Sequence, residues 1–378
     1  MNTSMYRAVF VDDRSEEQQY MTRLARVSNQ DIAWSFSLPD SNVEKFADGL
    51  FLAKYDLIVL DYRLDEVPNY DSEKQVVNRY RAATLAQYLR ERGTQSTSQD
   101  VPIVVLSQEP NVHQFYDPDL TAHDLFDLVL LKKEINNDPK KHAKRLLSLI
   151  DAYAQTRIEF KESKTPVDLL KLLALGSNEQ PVVDFQDIAQ IQKLFAPHQI
   201  IRELHRIFIA RAGILLSKND ICARLGISLE NAEWQQLEIL FRNDAILYTG
   251  VLSSGWQRWW RHRFEAWIEK VVGSNWGALT AAARTKILNS KLSLSLTPAV
   301  SRFTGDSEVL TAVRCISCNQ PTELNHTVPS YEPRRYLFLE KQRVCWQCVR
   351  TGEYEQASIE LDSSAQRVIN RLKNGEGS

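Results

Sequence analysis

The chain predicts an α/β fold, a doubly wound parallel sheet of five strands, followed by an α-helical module and a small β-rich domain. Three observations carry this expectation. Short apolar runs each end in a polar residue, helical periodicity alternates with those runs over the first 158 residues, and two C-x-x-C pairs stand near the C-terminus. Runs of Ile, Val and Leu this short, bounded by polar residues, read as strands buried on both faces, as in parallel sheets.

In chain order, residues 8–11 form a first strand that runs into Asp12 and Asp13. Residues 16–27 follow as a helix, with Tyr20, Leu24 and Val27 at helical spacing, and 32–38 as a second strand. A helix over 41–54 leads to the third strand, Leu57-Ile58-Val59-Leu60, which ends at Asp61. After the polar stretch 65–81 come a helix over 84–92 and a fourth strand, 102–106, running into Ser107. Residues 109–126 stand where a fourth helix belongs, but Asp, Pro and His crowd them and leave its geometry open. The fifth strand, 128–131, runs into Lys132. Residues 140–158 close the domain as a helix with Ala143, Leu146, Leu147, Ile150 and Ala154 on one face, and 159–166 read as a linker.

If the strands are parallel, their C-terminal ends share one rim, where open α/β sheets bind ligands. Three carboxylates, a hydroxyl and an ammonium then converge. Any one of them alone is a polar residue closing a strand; together they form a pattern. An acidic pair after the first strand, Asp after the third, Ser after the fourth and Lys after the fifth resembles the receiver domain of two-component response regulators. The likeness spans residues 6–155, about two fifths of the chain. It implies a flavodoxin-like receiver domain over 1–158.

Carboxylates a few ångströms apart repel by about 4 kcal/mol per pair at an effective dielectric near 20, so the cluster calls for a hard divalent cation, naturally Mg²⁺. The resemblance implies Asp13 as a direct metal ligand, Asp12 as a ligand directly or through water, and Asp61 as both ligand and phosphoacceptor. It also implies an oxygen from the Arg63 carbonyl, a hydrogen bond from Ser107 to a phosphoryl oxygen, and positive charge from Lys132. In-line transfer to Asp61 needs positioning and charge neutralisation more than covalent help.

Two positions depart from the family. The Pro that usually follows the Lys is Lys133, and the aromatic switch residue three before it is Val129. The polar stretch 65–81 lengthens the chain beside the acceptor; it reads as a solvated loop, with a lid or partner contact as the alternative. A degenerate receiver kept as a docking surface is the alternative to a competent site.

At 378 residues, 43% of them hydrophobic, the chain has room for two or three domains with real cores. A net charge of −2 argues against a globally basic nucleic-acid binder and leaves local patches open. The first seven residues are polar and show no signal-peptide pattern. The longest apolar run, 207–216, is interrupted by Arg211 and too short for a bilayer. A soluble, cytoplasmic protein with no membrane partner is expected.

The middle module, 167–300, reads as helical: 167–175 ending at Gly176 as C-cap, a loop over 177–181, then helices over 184–195 and 198–216. Residues 220–228 look like the turn of a helix-turn-helix, with Gly226 in the turn and Ser228 capping a helix over 229–241. That helix carries Glu230, Glu233 and Glu238, which face phosphates unfavourably, so a corner within a scaffold is preferred to a DNA reader. A helix over 256–272 places Trp256, Trp260, Phe264, Trp267 and Val271 on one face as core. Off that stripe, Arg258, Trp259, Arg261 and Arg263 form an alternative basic surface for DNA or a protein partner.

Cys315-Ile316-Ser317-Cys318 and Cys345-Trp346-Gln347-Cys348 are two knuckles separated by 26 residues (319–344). Two such pairs close a tetrahedral S₄ shell suited to Zn²⁺, and strands expected over 309–314 and 335–344 suit a zinc ribbon over 301–362. A redox pair or disulfide is the alternative. Four sulfur ligands leave no open catalytic position, so the zinc is structural. Cys222 is expected in buried packing, His326 has no partner suggesting ligation, and 363–378 read as a helix fraying into a polar tail.

The reading is a response-regulator-like signalling protein. Asp61 takes a phosphoryl group from a histidine kinase or histidine-kinase-like ATPase and thereby alters what the other modules bind. Self-catalysed phosphotransfer is the one reaction expected. A DNA-binding transcription regulator and a non-phosphorylated scaffold in a multi-protein defence or stress complex are the alternatives.

Overall fold

The computed structural model describes residues 5–28, 31–66, 79–117, 119, 121–162, 167–184, 186–302, 311–332, 336 and 338–373. The expected strands over 309–314 and 335–344, the polar stretch 65–81 and the linker 159–166 therefore lie partly outside the described residues. Packing divides the chain into two compact units. One holds Met1–Gln180, Gln186–His205 and Thr249–Trp256; the other holds Pro181–Phe185, Arg206–Tyr248 and Gln257–Ser378. This division crosses the sequence-drawn boundaries at 158 and 300, because parts of the expected helical module belong to each unit.

In the first unit, β1 (Tyr6–Val11), β2 (Ile32–Ser37), β3 (Leu57–Leu60), β4 (Ile103–Ser107) and β5 (Leu128–Leu131) form one sheet in the order β2-β1-β3-β4-β5. Every neighbouring pair is parallel. This is the flavodoxin-like order, and it places a topological switch between β1 and β3. β3 and β4 are buried along their whole length, as runs of Leu, Ile and Val covered on both faces must be.

Helices α1 (Gln18–Val27), α2 (Val43–Leu52), α3 (Ala82–Gln95), α4 (Lys132–Asn137) and α5 (Pro139–Glu162) connect and cover the strands. α2 starts where the Asn42 side chain accepts the Lys45 N–H at 2.9 Å. Where a fourth helix was expected over 109–126, one helical turn, Glu109–Asn111, runs into a π-helical turn, Val112–Tyr116. α6 (Leu169–Leu173) is capped by Asp168 and ends at Ala174 in the left-handed conformation (φ 55°), two residues before the Gly176 expected to stop it. α7 (Gln186–Ile191) and α8 (Pro197–Leu204) complete the unit's helices, shorter than the predicted 184–195 and 198–216.

A buried ionic network sits at the N-terminal ends of β4 and β5. Arg90 donates from Nη2 to Asp127 (2.7 Å) and from Nη1 to Asp100 (3.3 Å), and Tyr153 OH donates to Asp127 at 2.6 Å. The His198 backbone N–H donates to Asp100 at 2.7 Å, and its Nδ1 lies 2.8 Å from the same oxygen. Burial works to raise the Asp100 carboxyl, but His198 and Arg90 outweigh it and hold it below its usual value. The sequence reading did not pair these residues.

In the second unit, the run expected to stay helical to 216 leaves the helix after Ile209. Leu215–Leu216 (β6) pairs antiparallel with Trp259–Trp260 (β7). α9 (Lys218–Leu225) opens on a reciprocal Ser217/Asp220 capping box and stops at Gly226. Next come α10 (Trp234–Asn243), α11 (Arg261–Val272) and α12 (Ala281–Leu292). The helix predicted over 256–272 thus begins only at Arg261. Trp234, Phe241, Trp259, Phe264 and Trp267 meet edge to face or stacked in the core, with the Trp234 and Trp259 centroids 5.5 Å apart. The cysteine region adds hairpin-like pairs β8 (Thr311–Arg314) with β9 (Pro321–Glu323) and β10 (Thr327–Pro329) with β11 (Arg343–Cys345), then α13 (Trp346–Thr351) and α14 (Ser363–Lys373). Among the described residues, no helix is long and apolar enough to cross a membrane.

Two outcomes follow. Gly226 has φ +70°, and a Cβ there would lie 2.7 Å from Ala281 Cα, so Gly226→Ala is expected to destabilise the chain by more than about 1 kcal/mol, read as a lower melting temperature. Arg90→Ala leaves buried carboxylates unpaired and is expected to cost about 3–5 kcal/mol, seen as a lower urea midpoint for the full-length chain.

Candidate functional site

The parallel sheet delivers the predicted polar residues to one rim because each follows or ends a strand at the same end. Asp12 and Asp13 follow β1, Asp61 follows β3, Ser107 ends β4, and Lys132 follows β5 as the first residue of α4. All five are buried. Each carboxylate is held by a backbone N–H: Arg14 donates to Asp12 Oδ1 (2.9 Å), Arg63 to Asp61 Oδ2 (2.8 Å) and Glu66 to Asp13 Oδ2 (2.9 Å).

Lys132 joins the strand ends. Its Nζ lies 2.9 Å from Asp61 Oδ1, 3.2 Å from Asp12 Oδ2 and 2.8 Å from Glu17 Oε2. Burial works against its charge, yet Asp61 and Asp12 hold the ammonium above its ordinary pKa. For Asp12 and Asp61 the shift is upward. Burial is the main cause in both; the charge of Asp61 adds to it at Asp12 and that of Asp13 at Asp61, while Lys132 opposes both shifts. The rim therefore holds more buried negative charge than one ammonium offsets. Ser107 Oγ is fully buried and has no hydrogen-bond partner among the described residues.

Glu17 was missed in the sequence reading, where it was one more polar residue of the first helix. It ends a 3₁₀ turn, Ser15–Glu17, and is 9% exposed. The signal available was its place one turn beyond the acidic pair, which no strand-end pattern reads. At the positions that depart from the receiver pattern, Val129 is half-buried and Lys133 pairs with Glu109 at the surface.

The four cysteines come together as the spacing implied. One Sγ from each of Cys315, Cys318, Cys345 and Cys348 lies within 4.8 Å of the others, and the set can hold a metal ion. The Cys315–Cys348 and Cys318–Cys345 sulfurs are 3.9 and 4.0 Å apart, and all cysteines are free. A Zn–S bond of about 2.3 Å puts the sulfurs of a tetrahedron about 3.8 Å apart, so the donor set and its spacing fit Zn²⁺. The Cys345 N–H donates to Cys315 Sγ at 3.2 Å. Cys222 is buried, as expected. His326 lies 3.3 Å from Glu323.

Among the described residues, this is the one group of three or more His, Cys, Asp or Glu ligand atoms drawn that close. Asp12, Asp13 and Asp61 have the hard-oxygen chemistry of a Mg²⁺ site and an excess of buried charge that a cation would relieve, but they do not form so tight a set.

Two surfaces that the sequence left as alternatives take other forms. Residues 226–233 separate α9 from α10, Ser228 Oγ accepts the Glu230 N–H at 3.3 Å, and α10 starts at Trp234, so the short turn of a helix-turn-helix is absent. The proposed Trp/Arg helix surface is lost as well. Trp259 is 1% exposed on β7, Arg258 donates to the Ile209 carbonyl, Arg261 pairs with Glu265 and Glu340, and Arg263 donates to the Ala245 carbonyl. The aromatic spacing that suggested one helical face belongs partly to a strand, and backbone carbonyls and glutamates take the guanidinium donors.

No family model matches the chain, and no curated protein does. Solved receiver structures do match its N-terminal part. The receiver domain (CheY-like) from Methylobacillus flagellatus is 17% identical, with 34% of this chain and 87% of that one covered and a TM-score of 0.24. The phosphorylated cyanobacterial phytochrome response regulator RcpA is 14% identical, with coverages of 38% and 96% and a TM-score of 0.28. The isolated REC domain of RcsB from Salmonella enterica serovar Typhimurium, with phosphomimetic BeF₃⁻, is 11% identical, with coverages of 43% and 91% and a TM-score of 0.24. The strand order and the rim geometry, rather than these likenesses, support the reading that follows.

Proposed function

We propose that the first unit is a receiver-like signalling module in which Asp61 accepts a phosphoryl group from a partner histidine kinase or histidine-kinase-like ATPase, altering what the chain binds. The observation that carries this is the rim. A buried carboxylate lies 2.9 Å from a buried ammonium, on a wall with two further carboxylates and a buried hydroxyl whose hydrogen-bonding capacity is unused. Asp61 would be the nucleophile, Lys132 would take up charge on a phosphoryl oxygen, and Ser107 Oγ–H would donate to another. Asp12, Asp13 and Asp61 would hold Mg²⁺, which when bound supplies positive charge to the phosphoryl oxygens. The second unit would carry a structural Zn²⁺ on Cys315, Cys318, Cys345 and Cys348.

A second reading has its own support. Lys132 already pairs with three carboxylates, and the rim acids are not drawn together as the cysteines are. That arrangement suits a docking scaffold that turns over no phosphate. Its mark would be partner association independent of Mg²⁺ and unchanged in Asp61→Ala.

For the phosphoacceptor reading, radiolabelled acetyl phosphate with Mg²⁺ is expected to label the wild-type chain and to leave Asp61→Asn unlabelled. Labelling of that variant at the wild-type level would refute it. For the zinc, the purified protein is expected to carry about one equivalent by elemental analysis. Cys345→Ser, or treatment with a strong chelator, should remove the metal and lower the melting temperature; metal-free protein with unchanged stability would remove the structural role.

A further inference from the structure

We propose that Glu17 is a built-in brake on the rim, holding the Lys132 ammonium so that Asp61 can be phosphorylated only when this ion pair opens. The inference rests on Asp61 as phosphoacceptor and concerns what restrains that site.

An ammonium carries three donors and no acceptor. Three carboxylates already stand within 3.2 Å of Lys132 Nζ, and Glu17 at 2.8 Å is the nearest. An incoming phosphoryl oxygen therefore gains a Lys132 proton only by displacing one of them. Asp61 is the attacking group and stays, with Oδ2 tied to the Arg63 N–H. Asp12 is tied through Oδ1 to the Arg14 N–H. Glu17 is held differently. Its Oε2 is buried and faces the Lys132 ammonium at 2.8 Å. The turn that carries it lies outside the sheet, between β1 and α1, whereas Asp12 and Asp61 are fixed at strand ends. Glu17 is thus the partner whose release costs the fewest directed bonds.

The step restrained is transfer from acetyl phosphate. An Asp61 Oδ forms a bond to phosphorus as the bond from phosphorus to the acetyl oxygen breaks. Acetate leaves with the electron pair, and Asp61 becomes an acyl phosphate; nothing is oxidised or reduced. Glu17 touches no reacting atom and acts through Lys132 as a positioning residue.

The test measures initial rates of labelling by acetyl phosphate and Mg²⁺ in the full-length wild type, Glu17→Gln, Lys132→Ala, and the double variant, with Glu17→Ala as a second removal of the charge. Glu17→Gln and Glu17→Ala are expected to label about tenfold faster than wild type, a barrier lower by about 1.4 kcal/mol. The double variant should be no faster than Lys132→Ala alone. Rates equal to or below wild type in both Glu17 variants overturn the brake while labelling of the wild type leaves the phosphoacceptor reading standing. An equal acceleration in the Lys132→Ala background also overturns it, since Glu17 would then not act through the ammonium. If neither wild type nor any variant labels, the phosphoacceptor reading falls and the brake falls with it.

Discussion

The first unit depends on one buried cation among buried anions. Lys132 sits where the ends of β1, β3 and β5 meet, and its ammonium contacts Asp12 after β1, Asp61 after β3 and Glu17 in the turn before α1. Charges taken out of water are costly unless paired, so removing one of these partners leaves the others uncompensated. The arrangement is also unbalanced. With Asp13 there are four carboxylates to one ammonium, and burial, with the neighbouring carboxylates adding to it, holds the Asp12 and Asp61 carboxyls above their usual range.

The opposite end of the same sheet meets its buried carboxylates with fixed hydrogen-bond donors. Arg90 faces Asp100 and Asp127, Tyr153 and His198 complete the hydrogen bonding, and the Ile103 N–H donates to Asp127 at 2.8 Å. Here each buried carboxylate meets a fixed donor, and the result is a tie between β4, β5, α3, α5 and α8. The C-terminal rim gathers the predicted site residues, and the N-terminal end secures α8 to the sheet.

The second unit is organised by aromatic packing and by sulfur. Edge-to-face rings draw α10, α11 and β7 together, while Arg284, buried without a carboxylate, donates to the Arg224 carbonyl and to Thr311. Through Thr311 and the Arg314–Asp220 pair at 3.0 Å, the strands beside the cysteines are bound to α9 and α12. These contacts tie the cysteine region to the helices that precede it.

Much of this was legible beforehand. Apolar runs ending in Asp12-Asp13, Asp61, Ser107 and Lys132 dictated a buried parallel sheet and its rim, since a strand buried on both faces admits only such apolar residues and leaves the polar ones to its end. The cysteine spacing likewise dictated a four-sulfur cluster. What failed were local periodicities that two structures share. Trp256 to Trp260 matched a helical face until β6 claimed β7 as its partner, and Gly176 lost the C-cap to Ala174. Glu17, the Arg90 network and the division between units depend on contacts among residues far apart in the chain. Periodicity records which face of an element is buried, but the partner that buries it is chosen only when all the elements pack.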